Sequence, residues 1–206
     1  MHVRRVRLTA VVAGFFLVPA LCMPQSMRPE DLAQGKIIIT PRDAPDPHFA
    51  HSVILLAHYD ASGALGLMIH YSTDLPIRKA LTGVRGAESR SDPVFIGGPV
   101  ELPVVFSLVR SRPTPQGAKS VAGNVYLMTS RQSIGGALAE GRAASDMRVY
   151  LGYAGWGPGQ LEREVRRSGW FIFDFDESLV FDDHPDTLWE RLIAKTERRL
   201  AGFRGK

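Results

Sequence analysis

Between Tyr150 and Glu162 four glycines, Gly152, Gly155, Gly157 and Gly159, recur at every second or third position. A β-like run, Met147 to Leu151, leads into them, and the helical pattern Gln160-Leu161-Glu162-Arg163-Glu164-Val165 leads out. A strand, a glycine loop and a helix in that order constrain the fold more than any other stretch, because glycine admits backbone angles and close approaches that other residues do not. Two uses fit the pattern. Amide groups at a helix start can hold an anion, which makes Gly155, Trp156, Gly157, Gly159 and Gln160 candidate contacts for a small anionic ligand. The same glycines can instead form a tight turn, at positive φ in Gly155, Gly157 and Gly159, that sets Trp156 against backbone. The loop lacks the Lys-Ser/Thr of a phosphate-binding loop and the last glycine of a dinucleotide fingerprint, and Pro158 removes one amide from its middle. The turn is the favoured reading.

The start of the chain is of another kind. Arg4, Arg5 and Arg7 precede an uncharged apolar run from Leu8 to Cys22, followed by a polar stretch. Residues 1–22 therefore read as a secretory signal with cleavage near 20–26, after Ala20 or Cys22. The run falls short of the roughly 20 residues that span a bilayer as a helix, so no permanent membrane span is expected after cleavage. A periplasmic or secreted location follows, and a cytoplasmic one if the extension is a misassigned start. Residues 23–34 are expected as a linker and 35–206 as the folded domain. Removing three arginines from a chain with 25 Lys+Arg and 21 Asp+Glu leaves it nearly neutral, which weakens any argument for nucleic acid. With Cys22 as the only cysteine, the mature domain has neither disulfide nor cysteine-ligated metal.

Along the domain, Ile37 to Ile39 is β-branched and ended by Pro41, and Ser52–His58 and Ala64–His70 flank five turn residues, Tyr59 to Gly63, as a hairpin buried on both faces. Strands follow at 92–98, 103–109, 124–128, 148–151, 170–173 and 179–181. Helices are expected over 74–81, over 131–140 behind a Ser130 cap, over 159–167, and over 186–200 with Leu188, Leu192 and Ile193 on one stripe. Strands outnumber helices and are not interleaved with them regularly, so the class is α+β in a single compact domain.

Chemistry is sparse. His48, His51, His58 and His70 are the densest histidines, without the spacing of a zinc motif. Asp174, Asp176, Glu177, Asp182, Asp183 and Asp186 form an acidic segment without the spacing of a calcium loop. Ser52, Ser130 and Ser133 lie outside any nucleophile elbow. Arg163, Arg166 and Arg167 read as the solvated face of a helix. No cofactor, metal or catalytic residue is assigned. A hydrolase built on His58, His70 and Asp174 is the enzymatic alternative.

Four motifs, Asp46 to Val53, Gly63 to Leu67, Gly97-Gly98-Pro99-Val100, and Gly152 to Glu162 followed by Gly169-Trp170, together resemble the successive motifs of the YqgE/AlgH family. The resemblance spans Gly35 to about Leu192. It implies a strongly curved or flattened-barrel, mainly antiparallel sheet flanked by helices. The family is bacterial, carries a label as a transcriptional regulator, and has no established catalytic residue. This chain departs from it at His70-Tyr71-Ser72, where the family has Asn, a basic residue and Pro, and in its signal-like extension. Both departures point to an exported relative, for which a non-catalytic role binding a protein or a small anionic ligand in the cell envelope is the leading reading; if the extension is not an export signal, the regulatory role of the family label is the alternative.

Overall fold

Most strands of this chain are apolar on both faces, and the fold supplies a covering layer for each. The computed structural model describes residues 24–44, 46–167 and 169–204. The expected signal, 1–22, lies outside them. In chain order the elements are β1 (Pro24–Ser26), β2 (Ile37–Ile39), β3 (Val53–Asp60), β4 (Gly63–Met68), β5 (Ser72–Pro76), α1 (Ile77–Ala80), β6 (Pro93–Ile96), β7 (Val100–Arg110), β8 (Lys119–Ala122), β9 (Val125–Met128), α2 (Arg131–Ala139), β10 (Met147–Trp156), α3 (Gln160–Arg166), β11 (Phe171–Phe173), α4 (Glu177–Val180) and α5 (Leu188–Arg204).

The strands form one curled sheet in the order β1-β11-β2-β3-β4-β10-β7-β9-β8, with β6 and β5 branching from β10. All pairings are antiparallel except β6 with β10. The period-2 alternation of side chains explains the doubly apolar strands. Ile37, Ile39, Leu55, Leu67, Leu108, Tyr150 and Phe173 point into the concave face, where Leu188, Trp189, Leu192 and Ile193 of α5 join them. Their neighbours Ile38, Ile54, Met68 and Ile172 point outward under Leu161 and Val165 of α3. On the other half of the sheet Val94, Val109 and Val149 point outward under α1 and α2. The curl brings the segment leading into β2 against the edge strand β8: the Gln34 side chain donates to the Ser120 and Val121 carbonyls at 2.9 and 3.1 Å. This is a half-barrel in a single α+β domain.

Several local expectations hold. Ser130 caps α2 by accepting from the Ser133 N–H at 3.0 Å, and Trp170, Phe171, Phe173 and Trp189 are buried. Others change for physical reasons. The helix expected over 74–81 is extended through Pro76, since Leu75 precedes a proline and β5 pairs with β6, and only α1 turns helical. The β-like run 179–181 lies in and just after α4, because the Asp176 carboxylate accepts from the Ser178 N–H at 2.9 Å and starts a helix there. The five-residue connection between β3 and β4 shrinks to Ala61 and Ser62, with Asp60 paired to Gly63. Within the segment 23–34, the described part carries β1 and a turn, Pro29–Asp31, that sets Leu32 into the α3 layer.

Candidate functional site

The strand expected to stop at Leu151 runs on to Trp156, so two of the four glycines lie inside β10. Its first half pairs with β6 and β7, its second half with β4, and the register shifts between Leu151 and Tyr153. Gly152 sits at that shift with φ 70°, and a Cβ there would lie 2.6 Å from the Gly98 carbonyl oxygen. Of Gly155, Gly157 and Gly159, only Gly159 has a positive φ, 68°, where it begins α3. The Trp156 ring lies on Gly66, whose added Cβ would come within 3.0 Å of it.

One loop amide is already used. The Gly157 N–H donates to the Gln160 side-chain oxygen at 3.2 Å, and the Gln160 amide donates in turn to Glu164 Oε1 at 3.1 Å. Glu164 Oε2 accepts both the Trp156 and the Trp170 indole N–H, at 2.9 and 3.0 Å. The two indoles are 5% and 3% exposed, so Glu164 satisfies two donors that burial would otherwise leave unpaired. Phe49 completes an aromatic corner, stacked on Trp156 at 5.8 Å and edge-on to Trp170 at 5.7 Å. Beside it opens a cavity of about 210 Å³, lined among others by Asp46, Phe49, Glu164, Arg167 and Trp170. Phe49 is held there by a short turn, Pro47–Phe49, which Asp46 caps by accepting from the His48 N–H at 2.9 Å. On the far side of the motif Tyr59 donates to Glu162 at 2.6 Å, and burial together with that carboxylate pushes the phenol up to about 12.

The other candidate residues are placed apart. His58 pairs with Asp60 at 3.0 Å at one end of the β3–β4 hairpin. His70 Nδ1 lies 3.3 Å from the Val53 backbone at the other end, five residues along β3 or about 17 Å away. Burial lowers the His70 pKa below the usual imidazole value. Asp174 pairs with Lys36 at 2.6 Å, so the three residues of the hydrolase alternative are not assembled. His48 and His70 line a second cavity of about 440 Å³ with Tyr71 and Leu102, and the His51 ring packs on Trp189 at 4.1 Å. The acidic segment is engaged in structure: Glu177 with Arg110 at 3.3 Å, Asp182 with Arg191 at 2.6 Å, and Asp176 as a cap. Although burial opposes it, the Arg191 contact and the His184 N–H hold the Asp182 carboxyl below its usual range. Among the described residues no group of three or more His, Cys, Asp or Glu is arranged to hold a metal, and no helix is long and apolar enough to cross a membrane.

Arg148 was missed by sequence reasoning. It is buried on the concave face and donates to the backbone carbonyls of Ile69, Val180 and Asp182, with its guanidinium 4.7 Å over the Phe95 ring. Its position in the apolar run 147–151 was the available signal.

The family model described as "DUF179: AlgH-like" matches residues 37–201. A UPF0301 protein of Anaeromyxobacter dehalogenans is 34% identical over 191 residues, covering 88% of this chain and 95% of the relative. One from Methylococcus capsulatus is 31% identical, covering 81% and 96%. Among solved structures, AlgH of Pseudomonas aeruginosa superposes with a TM-score of 0.61 at 26% identity, covering 84% of this chain and 87% of its own. A protein from Corynebacterium diphtheriae gives 0.67 at 20% identity, covering 81% and 92%, a likeness of fold. The matched span includes all strands of the curled sheet but β1, the glycine motif and the Glu164 hub, and on these grounds the chain belongs to the AlgH-like family.

Proposed function

We propose that residues 35–206 form a non-catalytic binding domain of the bacterial cell envelope, delivered there by the signal-like segment 1–22, and that the cavity beside Phe49 and Trp170 is its ligand site. The observation that carries this reading is the aromatic corner. It presents two rings to a concave space next to charged side chains, the composition of a recognition pocket. The Glu164 carboxylate at its wall is held by three side-chain donors, which suits a fixed electrostatic surface better than an acid or base that must exchange a proton with a substrate. Trp156 and Gln160 of the glycine motif serve the site through Glu164.

The location is tested by fusing residues 1–30 to a reporter active only outside the cytoplasm. Activity is expected from the unmodified fusion and its loss from Leu17→Arg, which interrupts the apolar run. An inactive unmodified fusion overturns the envelope assignment. The site is tested by a thermal-shift screen of small fragments against the mature domain and its Phe49→Leu variant. Saturable binders that lose their effect in the variant are expected, and a set of binders indifferent to Phe49 overturns the assignment of the site.

A further inference from the structure

We propose that the cavity between Phe49, Trp170 and the end of α3 takes a small organic cation, an alkyl- or quaternary-ammonium group, the opposite sign of ligand to that suggested by the glycine motif in sequence. The inference rests on the reading of this cavity as the ligand site.

Three features of the cavity select the class. Aromatic rings line it: Phe49 and Trp170 meet edge to face at 68°, and Trp156 contacts both. A cation against such rings is attracted by their quadrupoles, by about 0.5 to 2 kcal/mol per good contact. Its fixed charge is negative. Glu164 is immobilised beside Trp170 by bonds to two indoles and one amide, and the exposed Asp46 stands at the rim, one of its oxygens accepting from the His48 N–H. Among the described lining residues Arg167 is the one cation; it is exposed at the end of α3 and is outnumbered by the carboxylates of Glu164 and Asp46. The backbone amides of Thr40, Phe49, Arg167 and Gly169 on the lining are bonded to backbone carbonyls, and that of Gly157 to Gln160, so an anion would have to compete for them.

Size narrows the class further. A volume of about 210 Å³ equals about seven waters at roughly 30 Å³ each. It is smaller than the roughly 300 Å³ at which drug-sized ligands begin to fit. A trimethylammonium group with a short tail fits such a space.

The test uses three probes of nearly one shape: choline, its neutral isostere 3,3-dimethylbutan-1-ol, and 3,3-dimethylbutyrate as the anion. Each is titrated into the mature domain at constant ionic strength, with binding read by tryptophan fluorescence and thermal shift. Choline is expected to bind saturably and the other two at least about tenfold more weakly, the equivalent of about 1.4 kcal/mol. Asp46→Asn keeps an oxygen for the His48 N–H, so it preserves the turn while removing the charge, and should weaken choline binding severalfold. Arg167→Gln should tighten it. Both positions are exposed, so the variants remain folded. Equal or tighter binding of the neutral or anionic probe, or weaker choline binding in Arg167→Gln, overturns the cation and leaves the cavity as a site for another class. Absence of binding by all three probes also overturns the cation, and the fragment screen with Phe49→Leu then decides separately whether the cavity binds anything.

Discussion

A methyl group on Gly152 would sit 2.6 Å from one carbonyl oxygen and 2.8 Å from another, whereas one on Gly157 would meet nothing closer than the Gln160 side chain at 4.0 Å. Gly152→Ala should therefore cost about 2 to 4 kcal/mol, combining a left-handed backbone with a backbone collision. Gly157→Ala should stay within about 0.5 kcal/mol, as a surface change does. Urea titrations of the two variants check the contrast. Sequence spacing alone could not tell these glycines apart, because what constrains Gly152 is Gly98, 54 positions earlier in the chain. His70 gives a second residue-scale test. Burial lowers its folded pKa below the 6.5 of the unfolded chain, so the unfolded state binds more protons between those two values. The stability conferred by a neutral His70 is complete above about pH 6.5 and declines as pH falls through that value towards the folded pKa. His51 bears on it with the same sign, Glu190 and Asp186 with the opposite. The urea midpoint should fall between pH 7.5 and 5, and His70→Asn should flatten the decline. An unchanged slope in the variant would assign the effect to other groups.

At the scale of elements, Arg148 ties three segments together by donating to carbonyls at the end of β4, in α4 and just beyond it. Arg148→Met fills most of the space but leaves those buried acceptors unpaired, and should lower the unfolding free energy by about 2 to 4 kcal/mol. Hydrogen exchange should show the loss concentrated in α4 and residues 181–186; a loss spread evenly over the sheet would show that Arg148 is no staple. Elements with a local signal were legible in the sequence: the Ser130 cap, the stripe of α5, and the isoleucine run of β2. Those set by partners were not. β5 is extended because β6 lies beside it, and β10 continues through two glycines because β4 accepts its second half. The glycine motif stands out in the sequence, but its relation to the cavity depends on Phe49 and Glu164, which are 115 residues apart and meet through Trp170.

For the whole molecule, the arrangement that matters is one strand shared between two half-sheets. β10 carries β4 on one half and β6 and β7 on the other, and β2 lies between β3 and β11. The concave core accordingly mixes residues from both ends of the chain, Ile37 and Ile39 with Leu192 and Ile193. A ribosome delivers this chain with its N-terminus first. The β3–β4 hairpin is complete by Met68, yet its free edge stays unpaired until β10 has been made, some eighty residues later. β2 waits still longer for β11, and the α5 residues that close the core come last. Nearly the entire polypeptide must be present before the half-barrel can close, so the early apolar strands stay uncovered during synthesis, and folding should be slow for a domain of this size.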